Sequence, residues 1–131
     1  MSWFLTALIA FAADSPKPEV AARSAAEKWL DLVDRSQYVE SWEQLSATFK
    51  EAVSKRKWKS TIAGIREPLG QIVSRKLASA EYTKELPGAP EGEYVVLKFD
   101  TTFQNKSNAV ETVTPVLGLD LIWRVSGYSV K

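Results

Sequence analysis

The side chains in this chain that could do chemistry are few, and each admits a plainer reading. Asp31 and Asp34 stand three positions apart in a stretch of helical spacing, so their carboxyls project near one another and could divide acid and base roles. Asp34 also reads as a turn former at a helix end. Arg66 and Arg75 flank Pro68 and Gly70. If both entered a common cavity, their guanidinium forks would clamp a carboxylate or a phosphate. Alternatively they tie the turn down through backbone carbonyls or through Glu67 and Glu111, because a Pro-Gly crossover leaves carbonyls to satisfy. Trp29, Trp42, Trp58 and Trp123 could line an aromatic pocket, whereas stripes at helical spacing are ordinarily core. Tyr38, Tyr94 and Tyr128 each carry a hydroxyl on an apolar body, suited to a pocket rim or the domain surface. The candidate ligand-binding set is therefore Arg66, Arg75, Trp42 and Tyr128, with no catalytic residue or metal ligand singled out.

Composition removes whole classes of function. The 131 residues include no His and no Cys. That excludes the Ser-His-Asp and Cys-His constellations, imidazole acid/base work, thiolate catalysis, disulfides and nearly all transition-metal sites. No Gly-rich phosphate loop, metal box or nucleophile elbow is present, so no cofactor is expected. A net charge of +1 with interspersed signs gives no broad drive toward nucleic acid or an anionic membrane. The run Lys55-Arg-Lys57 with Lys59 around Trp58 could touch phosphates, but reads better as a solvated helix face. No nucleic-acid partner and no stable membrane span are expected, which leaves an unknown protein or a small molecule as partner.

The elements that must position these residues change character at one place. Trp58, Ile62, Ile65 and Leu69 form a single helical stripe until Pro68 removes a backbone donor and Gly70 frees the chain to turn. Before this crossover the apolar period is helical. Ala22, Ala26, Trp29, Leu30 and Val33 mark a first helix that opens near Pro18. After a break at 34–37, Ser36 is expected to cap a second helix with Tyr38, Trp42, Leu45, Phe49 and Val53 on its stripe. Ser54 is expected to cap the third.

Past Gly70 the period becomes that of strands. The first runs to about Leu86, with Val73, Arg75 and Leu77 on one face and Ile72, Ala78, Ala80 and Tyr82 on the other, a split pattern that implies a bulge. A Pro/Gly loop at 87–92 follows. Then Val95, Leu97, Phe99, Thr101 and Phe103 alternate inward against Glu93, Lys98, Asp100 and Gln104. Two more strands, Val110 to Leu117 and Ile122 to Val130, complete a four-stranded antiparallel meander, with Gly127 at a change of parity. The fold class is α+β, N-terminal helices packed on that sheet, with residues 14–131 as one domain. Trp29, Trp42, Trp58, Leu97, Phe99 and Trp123 are expected to be buried together.

Residues 1–13 lack any charged side chain and are too short for a ~30 Å hydrocarbon core, so they read as a signal peptide. Ala10-Phe-Ala12 places cleavage after Ala12 or Ala13, and the mature chain is expected in the periplasm or secreted. The other reading is an apolar strand or helix packed on the domain.

Six ordered segments carry a resemblance: Trp29-Leu-x-Leu-Val-Asp34, Tyr38-x-x-Ser-Trp42, Trp58-x7-Arg66-x-Pro68-Leu-Gly70-x4-Arg75, Leu86-Pro-Gly-x-Pro-x-Gly-Glu-Tyr94, Glu111-Thr and Trp123-Arg-Val-x-Gly-Tyr128. Together they resemble the bacterial proteins grouped as domain-of-unknown-function family 4019, small and usually exported. The loop Leu119-Asp-Leu-Ile122 departs from the acidic, Gly-rich character of many relatives. The resemblance implies no activity or catalytic residue, and its order of elements is similar to cystatin-like or nuclear-transport-factor-like rolls, an analogy of fold alone. Two functions stand. One is a non-catalytic binding or interaction module. The other is a small metal-free acid/base enzyme using Asp31, Asp34 or Asp100 with a tyrosine in a pocket between helix and sheet.

Overall fold

The computed structural model describes residues 17–131, so the expected signal segment lies outside the described residues. Four α-helices come first: α1 (Pro18–Asp34), α2 (Tyr38–Glu43), α3 (Ala47–Ala52) and α4 (Lys55–Arg66), the last closed by a 3-10 turn at Glu67–Leu69. Four strands follow, β1 (Ile72–Thr83), β2 (Tyr94–Phe103), β3 (Lys106–Leu117) and β4 (Trp123–Val130), each antiparallel to the next in the order β1-β2-β3-β4. The chain is thus α+β, helices on one face of a meander.

The crossover behaves as its residues dictate. Ser54 caps α4 by accepting a hydrogen bond from the Lys57 amide. Pro68 sits inside the 3-10 turn, and Gly70 takes φ +77°, with the space for a Cβ already filled 2.9 Å away by the Cβ of Gln104. The core between the layers holds Trp29, Leu30, Trp58 and Ile62 from the helices and Val95, Leu97, Phe99, Val113 and Val125 from the sheet, all buried.

The expected second helix is two helices. Its stripe stops at Leu45, which leaves the helix to form a parallel bridge with Val125 at the sheet edge, while the Ser46 amide donates to the Val125 carbonyl at 2.9 Å. A helix cannot offer those groups outward, so pairing with β4 and helical continuation exclude each other. Ser46 then caps α3 by accepting from the Phe49 amide. Ser36 caps nothing and instead takes φ +59° in the turn after α1.

Bulges alter the faces of the outer strands. Register shifts between Ile72 and Ser74 and between Leu77 and Ser79 put Arg75, Leu77, Ala80 and Tyr82 on the helix-facing side and leave Val73 65% exposed, against the parity read from the sequence. In β4, Ser126 and Gly127 together oppose Thr114, which brings Tyr128 onto the same face as Val125. Of the expected buried set, Trp42 and Trp123 are only half-buried.

Candidate functional site

Two helix ends and all four strands send polar side chains to one point beneath the crossover. Asp34 is the last residue of α1, where a carboxylate meets the negative end of the helix dipole, and Arg66 is the last residue of α4, where a cation suits that end. Arg75 on β1 stands opposite Thr101 on β2, Glu111 projects inward from β3 between Ala109 and Val113, and Tyr128 arrives from β4 through the bulge.

Arg75 is the hub. Its Nη1 and Nη2 donate to Asp34 at 2.8 and 3.0 Å, and its Nε and Nη2 donate to Glu111 at 2.7 and 3.1 Å, so one guanidinium forks onto two carboxylates. Arg66 Nη2 adds a bond to Asp34 at 2.8 Å. Glu111, wholly buried, also accepts from the Thr101 hydroxyl at 2.7 Å and the Tyr128 hydroxyl at 2.5 Å. Two cations and two carboxylates balance, so the site adds no net charge to the interior.

The electrostatics follow from that enclosure. Burial acts to lower the Arg75 pKa, but the hydrogen bonds and charges of Asp34 and Glu111 more than offset it and raise it above the ordinary value. Burial, then the Glu111 charge, push the Tyr128 phenol well above its usual range, so it stays a donor. Arg66 is 5% exposed, its guanidinium lies 4.8 Å from the Phe103 ring centroid, and its Nε and Nη1 have no hydrogen-bond partner. The ring face supplies part of what those donors lack.

Arg66, Arg75 and Tyr128 therefore meet in one network, while Trp42 lies apart, its indole N–H donating to the Val53 carbonyl at 2.8 Å under the ammoniums of Lys50 and Lys55. Of the anchors considered from sequence, Glu111 is used and Glu67 is exposed; the arginine side chains meet carboxylates rather than backbone carbonyls. Asp34 as their shared partner, and Thr101 as a donor, went unread. A charged residue at an inward position of β3 was the available signal for Glu111. Asp31 is exposed and paired with Arg35 at 2.7 Å, and Asp100 is exposed on the outer face of β2. Among the described residues no group of His, Cys, Asp and Glu could hold a metal ion, and no helix is long and apolar enough to cross a membrane.

The opposite end of the sheet is open. The β3–β4 hairpin closes with the Gly118 amide donating to the Ile122 carbonyl at 2.9 Å. Asp120 receives Arg124 through two hydrogen bonds, which hold its carboxyl below the usual range. Leu121 takes φ +64°, and Leu119, Leu121 and Ile122 are 106%, 77% and 51% exposed. Beside this tip a groove of about 910 Å³ runs between α1 and the start of β4, walled by Ala21, Ala25, Leu32, Ile122 and Trp123. A smaller hollow of about 550 Å³ at the mouth of the ionic network is lined by Arg23, Glu27, Arg75 and Lys76.

No curated protein matches the chain. Residues 25–128 match the model of the family described as protein of unknown function (DUF4019), and the chain belongs to that family.

Proposed function

We propose that this family member is an exported, periplasmic or secreted, non-catalytic interaction module that recognises its partner with the β3–β4 hairpin and the groove beside it. One observation carries the reading: polar groups are turned inward upon one another while large apolar groups are turned out. The charges of Arg66, Arg75, Asp34 and Glu111 are spent within the fold, so an anion entering beside Arg75 must displace a carboxylate that already holds it bidentately. Leu119, Leu121 and Ile122 have no such internal use. Three large apolar side chains exposed at one hairpin tip mark it as an interaction surface. Closure of the hairpin puts Leu121 at a left-handed position that Gly usually fills, so a leucine stands at the tip where a smaller residue would serve the turn.

The test is capture by the tagged mature chain from the extracytoplasmic fraction, repeated with Leu119→Ser/Leu121→Ser. The proposal expects a partner held by wild type and lost by the variant, with both melting at the same temperature. Turnover of a compound in a broad hydrolase and isomerase screen, abolished by Asp31→Asn, would overturn it in favour of acid/base chemistry. Export is read separately: N-terminal sequencing should begin at Ala13 or Asp14, and intact Met1 in the cytoplasm would refute it.

A further inference from the structure

The groove beside the hairpin has a wall of a special kind, the outer edge of the last strand. Leu117 pairs with Trp123, yet the Leu117 amide donates to the Glu93 carbonyl on its other side at 2.9 Å. The Leu117–Trp123 pair is therefore of the non-hydrogen-bonded type, and the N–H and C=O of Trp123 face away from β3. Neither has a hydrogen-bond partner among the described residues. Val125, two positions on, has the same orientation, and its carbonyl accepts from Ser46 where the chain's own Leu45–Ser46 segment lies along the edge. The edge thus already receives a short extended segment at Val125 and stands open at Trp123.

Resting on the reading of this face as a recognition surface, we infer that the groove takes an extended peptide segment of its partner, added to the sheet as a strand beside Trp123. Main-chain groups of the peptide satisfy the Trp123 N–H and C=O, as in strand addition elsewhere. Alternate side chains of the peptide point to opposite faces. One set enters the hollow against Ala21, Ala25 and Leu32 of α1, and the other leans on the outer side past Leu121. Small residues on α1 leave the depth that such a side chain needs. The volume, about 910 Å³, has room for a short segment, and Glu40 of α2 and Gln44 just after that helix also line it. The side chain entering the hollow is apolar, since Asp31 is paired with Arg35, Arg124 with Asp120 beside the groove, and Lys28 and Glu40 add one charge of each sign, leaving no dominant sign of charge at the wall.

The experiment uses the purified protein and a displayed library of random peptides about seven residues long. Peptides held by wild type are counter-selected on Ser24→Trp, which places an indole into the groove from an exposed helix position. Selected peptides are then resynthesised with N-methyl groups on one alternate set of amides or the other. The inference expects apolar side chains at alternating positions, loss of binding to Ser24→Trp, and a drop of about tenfold or more for one methylated set with little change for the other. Equal sensitivity of both sets, or of neither, overturns it, and so does a library that yields nothing distinguishing wild type from Ser24→Trp. If wild type forms a dimer on sedimentation and Ser24→Trp does not, the occupant is a second copy and the peptide is excluded. Should the library fail while capture of a partner still depends on Leu119 and Leu121, strand addition falls and the interaction module stands.

Discussion

The two ends of the sheet invert one another. Beneath the crossover, four charged side chains are enclosed and each meets its opposite; at the β3–β4 hairpin, three large apolar side chains stand in water. Enclosed charges depend on every partner, because removing one leaves another desolvated and unpaired. Exposed leucines depend on nothing in the fold. The contrast separates residues kept by the structure from residues free to serve something outside it.

Removing one carboxylate tests the enclosed end most severely. Glu111→Ala leaves Arg66 and Arg75 sharing Asp34 alone, one positive charge in excess, and should cost on the order of 3 to 5 kcal/mol in denaturant unfolding; a loss under about 1 kcal/mol would mean that the end tolerates an uncompensated charge and the contrast fails. Lysine substitutions come next and discriminate within the site. Arg75 makes four hydrogen bonds and Arg66 one, so Arg75→Lys should cost about 3 kcal/mol and Arg66→Lys about 1 kcal/mol in the same assay.

An alkaline titration follows. The folded Tyr128 phenol holds its proton above the unfolded value, so its stabilisation is complete below pH ~10 and declines as pH rises further, by at most roughly 1.4 kcal/mol per pH unit. Tyr128→Phe should flatten that decline in melts taken between about pH 9 and 11. The smallest effect belongs to the open end. Leu121→Gly relieves a positive φ and should leave stability within about 1 kcal/mol of wild type or slightly above it, whereas a large loss would show that the hairpin tip is part of the fold.

The layout was legible where local rules decide it. Pro68 and Gly70 announced the crossover, Ser54 its helix, and the alternation of Val95 to Phe103 the face of β2. It was not legible where distant segments compete for the same residues. Leu45 fits a helical stripe in spacing, and only the waiting edge at Val125 makes it extended. Asp34 looked local because turns favour Asp, whereas its partners lie 32 and 41 residues away. The bulges stand between these cases: the split pattern at 72–82 and Gly127 at the change of parity signalled them, but not that Val73 would face water while Ala80 and Tyr82 join Arg75 and Leu77.

The ionic network also has a place in time. It joins residues separated by 32, 36 and 41 positions, so its charges can pair only after α1, α4 and the sheet have come together. A partly assembled domain that has shed water from these side chains without aligning them carries a penalty and no reward. The network is thus expected to form after the folding transition state and to break before unfolding proceeds, a late lock on the domain. Arg75→Lys should therefore quicken unfolding in stopped-flow traces while leaving the refolding rate close to that of wild type, and a matching slowdown in refolding would place the lock early instead.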